Sequence, residues 1–256
     1  MDMAKITLTM RSSITVPLEA EVITPDGLAG KSEEEIKSLT VYHGNREMKL
    51  GDFFDVSVEG SGDPASTEII MKGDLTRVKR IGEGMTAGSI VIEGSCDMHC
   101  GALMRGGKIT VKGDADAWAG REMRGGELVI EGNAGNYLGA GYRGEMTGMR
   151  GGKITVEGDA GDYIGEHMAG GEILVKGNVG ILPGLSMTGG RIIIEGSATM
   201  PGGEMTKGEI IVKGEVYDML PGFRFEGEEE IEGKRFRKHT GDLAVRGVGK
   251  GVLLLG

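Results

Sequence analysis

Aromatic side chains are scarce in this chain. They make up 4% of 256 residues, with a single tryptophan, Trp118. A carbohydrate-cleaving protein that stacks sugars on aromatic platforms would have little to build with. Cysteine is rarer still. Cys96 and Cys100 give no disulfide framework, so a reducing compartment, the cytoplasm, is expected. No stretch approaches the roughly 18 apolar residues of a membrane span, and MDMAKITLTMRSS at the start lacks the apolar core of a signal peptide. A basic surplus is missing too. The formal charge of −10 disfavours nucleic acid and anionic membrane as partners. Neither G-x-S-x-G nor H-E-x-x-H occurs, and His43, His167 and His239 form no nucleophile–base pattern.

What the chain has is glycine, 49 residues, well above the usual share of roughly 7%. There is no G-X-Y period, so collagen is excluded. The glycines punctuate a repeat: GSIVIEG, GKITVKG, GELVIEG, GKITVEG, GEILVKG, GRIIIEG and GEIIVKG. These open at Gly88, Gly107, Gly126, Gly152, Gly171, Gly190 and Gly208, spaced by 19, 19, 26, 19, 19 and 18 residues. A weaker copy, TEIIMKG, opens at Thr67. Self-similarity at this period marks units that bury their apolar faces against their neighbours.

Within each copy the third and fifth positions are aliphatic, from Ile90 and Ile92 to Ile210 and Val212, as on the inward face of a short strand. The second position alternates in sign from Lys108 through Glu127, Lys153, Glu172 and Arg191 to Glu209. Side chains stacked about 4.8 Å apart repel when like-charged, so the alternation predicts parallel strands in register. Glycines at position seven, and again seven residues later (Gly101, Gly120, Gly139, Gly165, Gly184, Gly203), mark tight corners. Before each next copy comes a methionine, from Met85 and Met104 to Met205. A methionine column suits soft-metal ligation or an apolar ladder; the ladder is the reading adopted.

These features predict a mainly β fold: a right-handed parallel β-helix, a solenoid of about eight coils on a 19-residue repeat, with a small N-terminal α+β cap. The predicted division is 1–66 for the cap, 67–222 for the β-helix and 223–256 for a C-terminal hairpin and closing strand. In the cap, strands are expected at Ile6–Met10, Ile14–Val16 and Phe53–Val58, and a turn at Thr24-Pro25-Asp26-Gly27. Ser32 followed by Glu35 is a capping box for a helix over Glu33–Leu39. The copy opening at Gly126 carries seven extra residues, placed around Ala140–Met146, as one protruding loop and contact point. Residues 223–239 read as a charged hairpin turning near Glu232-Gly233, with Lys234–Lys238 opposed by Glu228–Glu230. GDLAVRGVGKGVLLLG closes the chain as a strand covering an edge.

Candidate chemistry is sparse. Gly139-Ala140-Gly141-Tyr142-Arg143-Gly144 matches G-x-G-x-x-G, but no strand–helix unit surrounds it. Cys96, His99 and Cys100 are the best metal-like cluster, yet a fourth ligand is not near in sequence, and buried thiols are the simpler reading. Asp114, Asp116, Asp159 and Asp162 fall in successive corner loops and read as turn residues rather than the acidic site of a polysaccharide-cleaving β-helix. No catalytic, cofactor-binding or metal-ligating residue is assigned. A stand-alone enzyme acting on an acidic glycan is the alternative function.

The paired glycines, as in MRGGKITVKG and MAGGEILVKG, resemble the GXGXG β-helix of two groups: the C-terminal domain of the glutamate synthase large subunit, and the C subunit of formylmethanofuran dehydrogenase. VPLEAEVITPDGLAGKSEEEI, YHGNREMKLGDFFDV, GDLTRVKRIGEGMTAG, YLGAGYRGEMTGMRGG and GDLAVRGVGKG are similar to the second group, and the similarity spans nearly the whole chain. That resemblance implies a non-catalytic scaffold in a multi-subunit enzyme of methanogenic archaea, which reduces CO2 and forms N-formylmethanofuran. It also implies that the tungsten- or molybdenum-pterin, the iron–sulfur clusters and a binuclear metal site belong to partner subunits. Those partners are a pterin-containing catalytic subunit, an amidohydrolase-like subunit and iron–sulfur subunits.

Overall fold

In the computed structural model, residues 3–243 and 249–256 are described; residues 244–248, inside the expected closing segment, lie outside them. The aliphatic pairs of the repeat form one ladder. The strands Thr67–Lys72, Ser89–Glu93, Lys108–Val111, Glu127–Ile130, Arg150–Val156, Ala169–Val175, Gly189–Ile194 and Glu209–Val212 pair in parallel, each with the next. Ile90 faces Ile109, which faces Leu128, then Ile154, Ile173, Ile192 and Ile210, so every copy is in register. All of these are fully buried, and Met85, Met104, Met123, Met149, Met168, Met187 and Met205 are buried beside them as an apolar ladder.

The expected β-helical solenoid with a separate cap is corrected by the sheet's composition. The chain is organised by a mixed sheet of 13 strands. Ala4–Met10, assigned to the cap, is an interior strand of it, parallel to Thr67–Lys72 on one side and antiparallel to Phe54–Glu59 on the other. At the far end Gly251–Leu255 runs parallel to Glu209–Val212, and the hairpin Arg224–Ile231 with Lys234–Gly241 adds antiparallel strands. Most of the remaining backbone of each repeat is in turns. Among the described residues its pairing is a line of single bridges, Leu75–Cys96–Ala115–Ala134–Ala160–Val179, followed by Ile181–Thr199 and a short parallel pair, Ala198–Thr199 with Val216–Tyr217, in place of a second long sheet.

The alternating charges pair as the register requires. Lys108–Glu127, Lys153–Glu172 and Arg191–Glu209 lie at 3.2, 3.1 and 2.7 Å. At the sixth position Lys112–Glu131 and Lys176–Glu157 lie at 2.8 and 2.6 Å. A second seam crosses the corners. The side chain of Ser95 accepts a hydrogen bond from the Asp114 amide, Asp114 from Asn133, Asn133 from Asp159, Asp159 from Asn178, Asn178 from Ser197, and Ser197 from Glu215. Each turn thus satisfies a backbone donor of its neighbour with a short polar side chain.

Before the repeat, the short strand after Met10 is Leu18–Glu19, not Ile14–Val16. Thr24–Gly27 does not end as a turn: Thr24 caps a one-turn helix, Pro25–Leu28, accepting from the Gly27 amide at 2.9 Å. Proline at the first helical position serves a helix start as well as a turn. The capping box of Ser32 and Glu35 is present, and its helix, Glu33–Lys37, stops short of Leu39. The hairpin turns at Glu232-Gly233 as expected, with Lys238–Glu229 at 2.8 Å and Arg235–Glu228 at 3.9 Å.

Candidate interaction surface

Two residues before five of the six corner glycines, the backbone turns left-handed at a residue other than glycine: His99, Trp118, Tyr137, Tyr163 and Leu182, with φ between 53° and 66°. Such conformations cost of order 1 kcal/mol each. They align the side chains on the outside of the corner, one per repeat. His99 stacks on Trp118, Trp118 on Tyr137 and Tyr137 on Tyr163, with ring centroids 5.7, 4.9 and 5.2 Å apart. The rings therefore follow the spacing of the strands beneath them, about 4.7–4.9 Å.

The inserted loop folds against this stack. Gly141 N–H donates to Glu166 O, Gly148 N–H to His167 O, and Met149 N–H to Gly139 O. The excursion is therefore Tyr142–Gly148, and Ala140, which the sequence placed in the loop, is buried before it begins. Tyr142 meets Trp118 and His99 edge-on at 5.7 and 5.4 Å. The Arg121 guanidinium lies 5.1 Å from the Tyr142 ring centre, and that of Arg143 lies 5.6 Å from Trp118. Both contacts are cation–π pairs that hold the loop down.

Arg121, 7% exposed, is the anchor beneath. It bonds Glu122 at 2.8 Å, Glu83 at 3.2 Å and His99 Nδ1 at 3.1 Å. Glu83 also takes Arg80 at 2.6 Å. Burial, then the charges of Arg121, Arg80 and Lys79, push His99 down to about 4, so its ring is neutral at pH 7 and accepts from Arg121. Two clefts adjoin across the loop. One, of about 320 Å³, is lined by Tyr137, Glu166 and His167; the other, of about 460 Å³, by Lys79, Arg80, His99 and Arg121. Trp118, Tyr142 and Arg143 line both. Burial raises the Glu166 carboxyl above its ordinary value.

The structure separates the metal-like cluster. Cys96 continues the buried line of Leu75, Ala115, Ala134 and Ala160; Cys100 shares the position of Ala119, Leu138 and Ile164 in neighbouring repeats. Both thiols face the core, while His99 faces the outer clefts. A hydrogen bond to Cys100, then burial, drives the Cys96 thiol well above its ordinary value, so Cys96 is no ready thiolate. Among the described residues no three His, Cys, Asp or Glu side chains converge to hold a metal ion. Asp114, Asp159 and Asp162 accept backbone amides of the next turn, and Asp116 that of Ala117. His43 and His239 pack edge-on against Phe53 and Phe225. Gly139–Gly144 enters the loop with no following helix.

No family model matches the chain. It is 51% identical over 241 residues to the C subunit of the tungsten-containing formylmethanofuran dehydrogenase 2 of Methanococcus maripaludis, covering 93% of this chain and 88% of that one. The chain belongs to the family of formylmethanofuran dehydrogenase C subunits. Within the family it is 49% identical over 100 residues to the tungsten-enzyme relative of Methanothermobacter wolfeii, and 50% over 98 residues to a molybdenum-enzyme relative of Methanosarcina barkeri. Those two matches span only 37% and 33% of the relatives' lengths. A chain in the crystal structure of the formyltransferase/hydrolase complex FhcABCD from Methylorubrum extorquens, solved with methylofuran, superposes with a TM-score of 0.86. It is 30% identical, with 97% of this chain and 98% of that one covered.

Proposed function

We propose that this chain is the non-catalytic scaffold subunit of a formylmethanofuran dehydrogenase complex, which reduces CO2 and forms N-formylmethanofuran in the first step of methanogenesis. The observation that carries this reading is the near-full-length identity to a C subunit of that enzyme. The superposition onto a chain of a multi-subunit formyltransferase/hydrolase supports it. The relatives' names place tungsten or molybdenum in the whole enzyme. On this reading the metal-pterin, the iron–sulfur clusters and the binuclear metal site sit in partner subunits, and this chain binds none of them. Its contribution is a rigid in-register sheet whose outer corners partners grip. The complex works in the cytoplasm; among the described residues no helix is long and apolar enough to cross a membrane.

The test is purification of the tagged chain from a methanogen, with metal analysis of what accompanies it. Stoichiometric tungsten or molybdenum together with formylmethanofuran dehydrogenase activity supports the scaffold role. A chain that purifies alone and cleaves an acidic glycan overturns it.

A further inference from the structure

Resting on the scaffold reading, we infer that the groove between the inserted loop and the start of the repeat is a docking site for an acidic, extended segment of a partner subunit. The segment's carboxylates would meet Lys79 and Arg143, and its backbone would lie across Trp118 and Tyr142.

Charge is the first ground. The chain carries −10 overall, yet Lys79, Arg80, Arg121 and Arg143 converge on one cleft. Glu83 and Glu122, 12% and 16% exposed, lie deep with Arg121 and are consumed in fixing it and Arg80. Among the described residues neither Lys79 nor Arg143 enters an ion pair, and Arg143 is exposed. Glu19 lines the same cleft 3.8 Å from Arg80, and Glu145 and Glu166 line the adjoining one. Lys79 and Arg143 are thus the two cations whose charge is left for a carboxylate from outside, on a protein that is otherwise acidic, and they select an acidic partner at that point. Nucleic acid, also anionic, is disfavoured by the charge of the surrounding surface.

Shape is the second ground. The two clefts, about 320 and 460 Å³, share Trp118, Tyr142 and Arg143 and so adjoin across the loop as one longer depression, the form an extended segment follows. Tryptophan, tyrosine and arginine are the residues that most often carry interface energy; the two rings bury large area with little loss of conformational freedom, and arginine adds a fork of hydrogen-bond donors. Here they are already held: Tyr142 by Arg121 and the Trp118 ring, Arg143 by Trp118, and the Tyr142 amide by Glu122 at 3.3 Å. An ordered groove lowers the cost of ordering on association.

The experiment uses the intact complex purified from cells. A carbodiimide joins amines to carboxylates in direct contact, and cross-linked peptides are read by mass spectrometry. Lys79 is expected to couple to an aspartate or glutamate of another subunit, and the product is expected to fall as salt rises. Coupling of Lys79 only to Glu19 of its own chain, or no coupling while other lysines react, overturns the assignment. In parallel, K79E combined with R143E should weaken retention of the partner subunits at least tenfold, whereas K234E in the distant hairpin should not. Full retention by the double variant also overturns it. If the unaltered chain captures no tungsten- or molybdenum-containing subunits at all, the scaffold reading itself fails. If it captures them and the double variant does too, only the groove is wrong.

Discussion

Alanine at Gly165 should damage the core far more than alanine at Gly101, although both glycines occupy the same corner column at φ +64°. A side chain in left-handed backbone costs about 1–2 kcal/mol at either position. The surroundings differ. At Gly165 a Cβ would stand 2.6 Å from Ile192 Cδ1, while at Gly101 the nearest atom, Ile109 Cδ1, is 3.4 Å away. Overpacking of a fixed core adds about 1–3 kcal/mol. G101A is therefore expected to lose about 1–2 kcal/mol and G165A about 2–5 kcal/mol. The clash has an address, so it can be relieved. I192V removes the Cδ1 methyl and by itself costs about 0.5–1.5 kcal/mol. In the G165A background it opens the space the new methyl needs, and the double variant should be more stable than the sum by about 1 kcal/mol. Urea unfolding of the four variants, followed by far-UV circular dichroism with a common m-value, gives these numbers. Equal losses at Gly101 and Gly165, or strict additivity with I192V, would refute close packing of the corner against the strand.

Deleting Tyr142–Gly148 restores the 19-residue spacing, so the sheet should fold with unchanged circular dichroism while recovery of partner subunits falls; unchanged recovery counts against a contact role for the loop. M149A empties a fully buried site and should cost about 2–5 kcal/mol in urea unfolding. His99 titrates near 4 in the folded chain against an ordinary 6.5, so the unfolded chain takes up the proton first as pH falls. Its contribution to stability, complete above pH 6.5, should drain away down to about pH 4. H99Q should flatten the stability profile in that window, and an identical slope in both proteins sinks the assignment. K153E would set a third carboxylate between Glu127 and Glu172; a small loss of melting temperature that shrinks in high salt is expected, and a salt-independent loss points to another cause.

Much of this molecule is legible in residue order, and the limits are physical. Aliphatic pairs spaced by two, charges of alternating sign and a methionine before each copy fix strand, register and ladder, because each is a nearest-neighbour rule between repeats. The pairing sense at the ends is not such a rule: nothing in the repeat says that Ala4–Met10 enters the sheet or that Lys234–Gly241 runs antiparallel, so the repeat alone predicts a solenoid where a mixed sheet forms. Thr24-Pro25 carries the same signals for a turn and for a helix start. The loop boundary slips because Gly139, Gly141, Gly144 and Gly148 align equally well with several corner glycines; hydrogen bonds decide among them. Weighing aromatics by number hides the surface. Taken by position, His99, Trp118, Tyr137 and Tyr163 each stand two residues before a corner glycine, and that shared offset is the available signal for a stack. The two cysteines can be read the same way, since Cys96 and Cys100 sit where other repeats place alanine, leucine or isoleucine.

A ladder of near-identical strands has no inherent reason to stop. Every added copy would offer the next the same face, which is how fibrils elongate. Here elongation is terminated chemically. Phe54–Glu59 at one edge carries Asp55 and Glu59, and Arg224–Ile231 at the other carries Glu226, Glu228, Glu229 and Glu230. Both outermost strands run antiparallel to their neighbours and present like charge to any second copy. The two edges therefore disfavour end-to-end addition of a second copy.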